Sequence, residues 1–396
     1  MPDLLTIHEA LELILERSRP LAAETVALAD AADRVVSESA LSLVDLPPFP
    51  SSAMDGFAVR AEDAPGTLPV AARVVAGHPS LEPLVRGAAA AIATGGVVPE
   101  GANAVVPIEH VTERDGHVEI LERPELNAHI RPRGGDVRTG DAVVAAGTRL
   151  APAQIGALAA AGVAEVSCAR RPRVAVLATG SELRRPGEPL RPGEIYESNR
   201  PMLAAALTRL AEIELLPVVA DDEESHRSAL ERGLAADVLV TTGGVSMGTH
   251  DLVRKIAAEL GVEEVFWGVA VKPGKPLSFG LRERTLVFGL PGNPVSSLVG
   301  AILFVGPALL ALQGASDPGP TYESGRTRVA LRRNAHRDEF VRARRERDDS
   351  GFMLEPVSGQ ESHMIVRAAT ADALIHVPRG DGQIDPGSVV RYLALT

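Results

Sequence analysis

The sequence predicts a multidomain chain of the α/β plus β class, with a doubly wound α/β domain, an inserted β-rich module and a C-terminal β domain. Three observations predict this class. Strand and helix patterns alternate from residue 171 onward, which is typical of a parallel sheet with crossover helices. Short β-like pieces separated by Gly, Pro and Asp fill residues 54–145. After the turn-forming run at 314–320, short alternating strands replace the helices.

Length and charge narrow the class of protein further. A chain of 396 residues is too long for one compact core and predicts several domains. The net charge of −12 argues against a broad surface for nucleic acid or an anionic membrane. The single cysteine, Cys168, excludes an intrachain disulfide and fits a reducing compartment. Since the N-terminus lacks the pattern of an export signal, we expect a cytoplasmic protein.

The N-terminal part predicts two helices and a rigid loop. Residues 6–17 place apolar side chains on one helical face, and residues 149–163 form a second helix, which we expect beside the first. The DLPPFP run at 45–50 excludes a regular helix or a central strand, because its prolines remove donors and fix φ. The predicted domains are 1–45 with 138–170, the inserted module 46–137, the α/β domain 171–316 and the C-terminal domain 317–396.

The α/β domain begins with RVAVLATG at 173–180. Its predicted strands are 173–178, 213–219, 237–242, 264–271 and 285–290, and its predicted helices lie near 199–211, 223–235, 251–260 and 294–312. The last helix is apolar enough for a membrane span, but it follows a turn and contains Gly300, Gly306 and Pro307. A buried core helix is therefore the prediction.

Two loops of this domain carry glycine and acidic side chains directly after a strand, where ligands of α/β sheets bind. TGSEL (179–183) offers Glu182 to a metal ion or water, although Ser181 and Glu182 fit a simple helix or turn cap equally well. In TGGVSMGTHD (242–251), Gly243, Gly244, Ser246 and Gly248 free backbone N–H groups that can wrap a phosphate. Asp251 can bind a cation or a pterin amine.

Two more loops offer positive charge and free backbone donors. KPGKP (272–276) sets Lys272 and Lys275 across a tight turn, where both can face one anion. The alternative interpretation of this segment is an exposed turn with solvated lysines. GLPGNPVSS (289–297) ends a strand and begins a helix. Pro291 and Pro294 lie in this turn, with Pro294 at a favoured first-turn position; Asn293 can cap the helix, and the free N–H groups near Ser296 offer an anion site. All four loops follow strands of one predicted sheet, so we expect them to converge.

Two turns outside this domain also carry acidic groups. SSAMDGF (51–57) places Asp55 after the rigid proline run, and IRPRGGD (130–136) places Asp136 behind two arginines. Each turn alone is typical of solvent-facing structure.

An ordered set of strings resembles the molybdopterin molybdenumtransferase family, the MoeA-type proteins that include the C-terminal domain of gephyrin. The strings are DLPPFPSSAMDGFA (45–58), ATGGVVPEGANAVVP (93–107), IRPRGGDV (130–137), ATGSEL (178–183), TTGGVSMGTHD (241–251), KPGKP (272–276), LPGNPVS (290–296) and SHM (362–364). They cover almost the whole chain, and their order is far more specific than any one of them.

The resemblance implies a homodimer whose active cleft lies between the α/β domain of one subunit and the inserted module of the other. It implies insertion of molybdenum from molybdate into adenylylated molybdopterin, with release of AMP and help from Mg²⁺. By position, the catalytic residues are Glu182, Asp251, Asp55, Asp136, Asp221 and Lys272, with Thr94 at the substrate. Charge favours Glu182 and Asp251 as Mg²⁺ contacts. Possible protein partners are the enzyme that adenylylates molybdopterin and the apoenzymes that accept the finished cofactor.

Three positions depart from the family pattern, and three other functions stay open. Gly268 stands where many relatives have a basic residue, Ser181 replaces the more usual Asp, and Phe57 replaces a common Tyr. One rival function is a serine hydrolase, because Gly244 to Gly248 fits G-x-S-x-G around Ser246. The others are a non-catalytic pterin-binding scaffold and the adenylylation of molybdopterin.

Overall fold

The chain begins with the amphipathic helix α1 (Ile7–Arg17). The computed structural model describes residues 4–219, 222–244, 252–349 and 351–395. Thr6 caps α1: its hydroxyl accepts the N–H of Glu9, whose carboxylate accepts the N–H of Thr6, and this reciprocal pair fixes the first turn. Its buried residues Ala10 and Ile14 belong to the core of the α/β domain. The predicted helix is confirmed.

The inserted module follows β1 (Ala23–Ala27) and β2 (Ala40–Leu41). Its strands are β3 (Ser51–Ser52), β4 (Gly56–Val59), β5 (Gly66–Val74), β6 (Ala89–Ile92), β7 (Ala104–Pro107), β8 (Val111–Arg114), β9 (His117–Ile120) and β10 (Ile130–Arg131). Six of them form one sheet in the order β7-β4-β6-β5-β9-β8, while β3 pairs with β10. The predicted β-rich module is confirmed.

The chain then returns to the N-terminal region with β11 (Ala142–Val144), α2 (Pro152–Ala160) and β12 (Glu165–Ala169). The strand β12 pairs with β1, and β11 pairs with β2. Leu158 of α2 is buried in a small core with Val26, Val144 and Cys168. The helix α1 packs instead on the last helix of the α/β domain, so the predicted packing of the two helices side by side is wrong.

The α/β domain contains a six-stranded sheet in the order β16-β13-β17-β21-β20-β18. The six strands of this sheet are β13 (Arg173–Ala178), β16 (Glu212–Leu215), β17 (Val238–Thr242), β18 (Glu263–Trp267), β20 (Ser278–Arg282) and β21 (Thr285–Leu290). Its helices are α3 (Asn199–Leu207), α4 (Glu223–Gly233), α5 (Leu252–Glu259), α6 (Pro294–Gly300) and α7 (Gly306–Leu312). Two short strands, β14 (Leu183–Arg184) and β15 (Ile195–Tyr196), pair with each other, and β19 (Val271–Lys272) pairs outside this sheet.

Only part of this sheet is parallel. The strands β16, β13, β17 and β21 are parallel neighbours, as the alternation of strands and helices predicts. The strand β20 is antiparallel to β21, and the edge strand β18 is antiparallel to β20. The strand predicted at 264–271 is in fact two strands, β18 and β19, and β20 was not predicted from the sequence. A hairpin needs no crossover helix, so the alternation of elements carries no signal for it.

The apolar helix at 294–312 lies in the core of this domain. A π-helical turn, Ala301–Val305, joins α6 to α7. Among the described residues, Pro294–Leu312 is the one helix long and apolar enough to cross a membrane. Since 83% of its most apolar window is buried inside the protein, its apolar surface is already covered by the core, as predicted.

The C-terminal domain is a small β barrel. Its elements are β22 (Glu323–Thr327), β23 (Leu331–Arg332), β24 (Asp338–Asp348), β25 (Gly351–Pro356), α8 (Ile365–Ala368), β26 (Ala373–Val377), β27 (Gln383–Ile384) and β28 (Val389–Ala394). Because β24 pairs with both β25 and β26, the ring β24-β25-β22-β28-β26 closes. The short strand β19, from the chain segment of the α/β domain, pairs with β24 at the edge of the C-terminal sheet. This pairing holds the two domains together. The four predicted domain boundaries stay a prediction.

The stability of the α/β core depends on Phe279, which is buried on β20 between Phe266 and Phe288, with ring centroids 5.7 and 5.0 Å away. We expect Phe279→Ala to lower the free energy of unfolding by about 3–5 kcal/mol, because it removes aromatic packing and leaves a cavity. Urea denaturation followed by circular dichroism measures this change. Val366→Ala is the control, because Val366 is 80% exposed; an equal loss in both variants would contradict this account.

Candidate functional site

A cleft of about 610 Å³ lies at the carboxyl ends of the parallel strands β13, β17 and β21. This volume is within the usual range of small-molecule sites, roughly 300–1,000 Å³. The lining residues come from six segments of the chain: Ala178, Thr179, Glu182, Leu183, Ile195, Tyr196, Glu197, Ser198, Asn199, Thr242, Gly243, Gly244, Pro276, Pro291, Gly292, Asn293, Pro294, His363 and Ile365. The predicted convergence of the strand-end loops is therefore largely confirmed.

Glu182 lies at this cleft as predicted, with an exposed side chain. Gly180 has a positive φ of 151°, and a Cβ there would lie 2.5 Å from a carboxylate oxygen of Glu182. The positive φ favours glycine at this position, and the Glu182 carboxylate folds back over its α-carbon. No helix begins here, because Leu183 enters β14, so the helix-cap alternative does not hold. Ser181 and Glu182 do lie in a turn, which the Leu183 N–H closes by donating to the carbonyl oxygen of Gly180.

Gly243 and Gly244 bring the second loop against its neighbours. Both have positive φ, 89° and 64°. A Cβ on Gly243 would lie 2.8 Å from the carbonyl oxygen of Thr179, and a Cβ on Gly244 would lie 2.6 Å from a methyl group of Val253. The two glycines thus let the ends of β13 and β17 approach closely enough to form one wall of the cleft.

A buried group of polar side chains, which sequence reasoning missed, joins the strand ends beneath the cleft. Asn199 donates its Nδ2 to Thr242 Oγ1 and to the carbonyl oxygen of Gly292, both at 2.7 Å. The Thr242 hydroxyl also lies 3.2 Å from Ser297 Oγ and from the carbonyl oxygen of Pro291. These bonds fix β17, β21 and the start of α3 relative to one another. Asn199 Oδ1 is buried and has no hydrogen-bond partner among the described residues.

The PGNP loop lies at the cleft, but Asn293 does not cap α6 with its side chain. Its Nδ2 instead donates to Ser362 Oγ at 3.0 Å, and the Val295 N–H donates to the carbonyl oxygen of Ser362. Pro291 and Pro294 line the cleft, while Ser296 is buried. The predicted cap is wrong because the carbonyl oxygen of Ser362 accepts the Val295 N–H, one of the donors that a cap binds, and the Asn293 amide turns toward Ser362.

Arg342 holds this C-terminal segment in place. Its guanidinium is buried and donates to three carbonyl oxygens, those of Gly359 at 2.8 Å and of Glu361 and Met364 at 3.2 Å. Burial lowers the pKa of Arg342. The loop that it fixes carries His363 into the cleft. The sequence gives no sign of this role, because the contacts are to backbone atoms about twenty residues away.

The KPGKP turn divides between two sites. Pro276 lines the cleft, and Lys275 is half-buried beside it in the chain. Lys272 lies in a different groove, where its Nζ is 2.8 Å from the Glu339 carboxylate. The expectation that Lys272 and Lys275 face one anion is not met, because pairing of β19 with β24 directs Lys272 toward the barrel.

Asp55 and Thr94 lie together in the inserted module. Asp55 Oδ1 accepts the backbone N–H of Thr94 at 2.7 Å and its hydroxyl at 2.9 Å. These two bonds, the backbone one first, lower the pKa of Asp55 because they favour the charged form. Among the described residues that line the cleft of the same chain, neither Asp55 nor Thr94 is present.

Asp136 lies on an exposed loop beside the proline run. Its backbone N–H donates to the carbonyl oxygen of Leu46, and Arg133 donates to Asp45 at 2.6 Å. Since β10 pairs with β3, the loops of Asp55 and Asp136 start from neighbouring strands of the inserted module.

Four predicted site residues lie outside the described residues: Asp221, Ser246, Gly248 and Asp251. The serine hydrolase alternative rests on Ser246 and lies outside them as well.

Two of the departures from the family pattern have a structural reason. Gly268 has a φ of 91°, and a Cβ there would lie 2.7 Å from Leu4, so a larger residue would be strained. Phe57 is buried on β4 in the core of the inserted module, where a hydroxyl would need a partner.

The fold and the cleft define a class of protein: a multidomain chain with an α/β domain that binds a small molecule at the carboxyl ends of its strands. Three family models match it in order. Residues 5–162 match the MoeA N-terminal region (domains I and II), residues 175–311 a probable molybdopterin-binding domain, and residues 324–395 the MoeA C-terminal region (domain IV).

Relatives extend over the whole chain. It is 36% identical to the molybdopterin molybdenumtransferase of Haemophilus influenzae, covering 98% of each protein. It is 35% identical to molybdopterin molybdenumtransferase 2 of Mycobacterium tuberculosis, covering 99% of this chain and 100% of that protein. A solved structure of the molybdopterin biosynthesis MoeA protein from Pyrococcus horikoshii superposes with a TM-score of 0.85 at 28% identity, covering 99% of this chain and 100% of that one. The chain belongs to the MoeA-type molybdopterin molybdenumtransferase family.

The contact between Thr94 and Asp55 is testable by titration. We expect Thr94→Val to raise the pKa of Asp55, because the variant removes the hydroxyl bond, while the remaining backbone bond keeps the pKa below its usual value. Carbon NMR of labelled aspartate side chains measures this pKa. Since the native pKa is the lower one, the contribution of the pair to stability is present above the unfolded-state pKa and is lost as the pH falls through the native value.

Asp45 is the internal control for that titration, because it accepts the same two kinds of bond from Thr139 and should be unchanged. An unaltered pKa of Asp55 in Thr94→Val would show that the hydroxyl bond does not form in solution.

Proposed function

We propose that the cleft binds adenylylated molybdopterin and that the protein inserts molybdenum from molybdate into it, with release of AMP. The observation that carries this proposal is the convergence of Glu182, Gly243, Gly244 and the PGNP loop at one cleft of suitable size. It is supported by family membership over the full chain, in relatives named for this transfer. The activity is that of an enzyme of molybdenum cofactor biosynthesis.

The cleft is suited to an anionic substrate. Gly243 and Gly244 carry no side chain, so a substrate phosphate can approach the backbone of this wall of the cleft closely. Lys275 supplies positive charge from the adjoining turn. This positive charge can stabilise charge that develops on the departing AMP. Asn199 and Thr242 act from beneath, because they fix the loops that carry these groups.

Glu182 is the described residue that fits a role in holding Mg²⁺. Within the described ranges, no group of three His, Cys, Asp or Glu side chains is placed to hold a metal ion. Mg²⁺ is commonly held by one or two carboxylates together with substrate phosphates, and the exposed Glu182 carboxylate at the cleft fits that arrangement. When bound, Mg²⁺ would neutralise charge on the phosphate oxygens. The predicted contribution of Asp251 is part of the same proposal.

The protein functions in this proposal as a cytoplasmic homodimer. Asp55, Thr94 and Asp136 would approach the cleft from the inserted module of the partner subunit, since the residues that line the cleft in the described part of one chain come from the α/β and C-terminal domains. The enzyme that adenylylates molybdopterin and the acceptor apoenzymes are the proposed protein partners.

The role of Glu182 is tested by AMP release from adenylylated molybdopterin in the presence of molybdate and Mg²⁺. We expect Glu182→Gln to lower kcat by at least about a hundredfold, comparable to the loss of one group that stabilises charge in a transition state. Glu188→Gln is the matched control on the same exposed loop and should keep wild-type turnover. Equal turnover in the two variants would remove Glu182 from the active site.

The shared cleft is tested by mixing two inactive variants. We expect Asp55→Asn and Glu182→Gln each to lower AMP release at least about a hundredfold. Their co-refolded mixture should recover roughly a quarter of wild-type activity, because half of the dimers then carry one intact site. Each variant refolded alone is the control. A mixture that stays inactive, while its heterodimers are detected by mass spectrometry, would show that the two residues do not serve one cleft from different subunits.

A further inference from the structure

A second cavity, of about 630 Å³, lies between the KPGKP turn and the C-terminal barrel. We call it the barrel groove. It shares no lining residue with the cleft of Glu182 among the described residues. Its lining residues are Lys272, Val329, Ala330, Leu331, Arg332, Arg333, Asn334, Ala335, His336, Glu339, Val341 and Pro356.

Backbone bonds fix the segment that carries most of these side chains. Arg332 pairs with Gln383 in the β23–β27 ladder, and the Arg333 N–H donates to the carbonyl oxygen of Gly382. Asn334 Oδ1 accepts the N–H groups of His336 and Arg337 at 2.9 and 3.1 Å. The segment is therefore held in one conformation before any ligand arrives, which lowers the entropy cost of binding.

The barrel groove carries an excess of positive charge. Its one carboxylate in the described chain, that of Glu339, is already paired with Lys272 at 2.8 Å. Arg332 and Arg333 form no ion pair within the ranges that the structure describes. In a chain with a net charge of −12, two unpaired neighbouring arginines at one concave site are a local attraction for anions.

One donor of the Arg333 guanidinium is buried without an acceptor. Its Nε is buried and has no hydrogen-bond partner in the described part of the chain, and an unpaired buried donor is unfavourable. Gly380 packs on the same side chain: a Cβ there would lie 3.1 Å from Arg333 Nη1. The guanidinium is thus confined on one side by backbone, and because Arg333 lines the barrel groove, an anion there can accept from its donors other than the buried Nε.

We propose that the barrel groove binds a tetrahedral oxyanion, with Arg332 and Arg333 as the main ligands and Lys272 and His336 beside them. The planar donor fork of arginine suits such an anion. Molybdate and a substrate phosphate share this chemistry. The claim that the groove binds an oxyanion is independent of the proposed function. The claim that this oxyanion is used in the transfer reaction rests on the proposed function.

The test reads out His336, which lines the barrel groove. Full-length protein is treated with diethyl pyrocarbonate, with and without sodium molybdate at about 1 mM, a modest affinity range. Modification is measured by peptide mass spectrometry. Molybdate should protect His336 and leave His117, exposed in the inserted module, unprotected. Inorganic phosphate is the second probe: stronger protection by molybdate assigns the groove to the metal oxyanion, and stronger protection by phosphate assigns it to a phosphate of the substrate.

Two variants change the affinity in opposite directions. Arg332→Gln with Arg333→Gln should raise the concentration needed for half-protection at least about tenfold, because two charge-assisted bonds are lost. Glu339→Gln should lower it about threefold or more, because Lys272 is released from its carboxylate. Arg347→Gln is the control, since Arg347 lies six residues beyond Val341 on β24, roughly 20 Å away, and should match the wild type.

Absence of protection of wild-type His336 by either anion overturns the proposal, as does a Glu339→Gln variant that binds more weakly than the wild type. The second outcome is decisive even if the double arginine variant fails to fold. The proposed function is scored separately by AMP release. If the anions protect His336 in the wild type but no AMP is released, the proposed function is contradicted and the barrel-groove proposal stands. If AMP is released but His336 is not protected, only the barrel-groove proposal is contradicted.

Discussion

The hydrogen bonds of Thr242 are the interaction on which the cleft depends. Its hydroxyl connects Asn199, at the start of α3, to Pro291 and Ser297, at the passage from β21 to α6. All of these groups are buried, so water cannot replace a lost partner, and each bond is costly to break. These buried hydrogen bonds hold the loops that line the cleft in position, including the loop that carries Glu182.

A second constraint joins the α/β domain to the C-terminal barrel. The strand β19 pairs with β24, and Ser362 binds Asn293. Arg342 then fixes the loop of Ser362 through backbone carbonyl groups. The barrel therefore completes the cleft on one side and forms the barrel groove on the other. The cleft and the barrel groove both depend on the contact between the α/β domain and the C-terminal barrel. The small β domain therefore helps to form the candidate active site.

Sequence reasoning predicted the parts of this arrangement that are governed by local rules. The ends of parallel strands converge, so the positions of Glu182, Gly243 and Gly244 followed from the alternation of strands and helices. Lys272 was misplaced because its direction depends on pairing with a strand more than sixty residues away. Asn199 and Arg342 were missed because their partners are mainly distant backbone and hydroxyl groups, and such contacts leave no periodic or spaced pattern in the sequence.

The most direct test of the account is a crystal structure of the protein with AMP, molybdate and Mg²⁺. The account predicts AMP in the cleft at the carboxyl ends of β13, β17 and β21, with its phosphate against the Gly243–Gly244 loop or the start of α6 and within reach of Glu182. AMP bound on another face of the α/β domain, with this cleft empty, would contradict it.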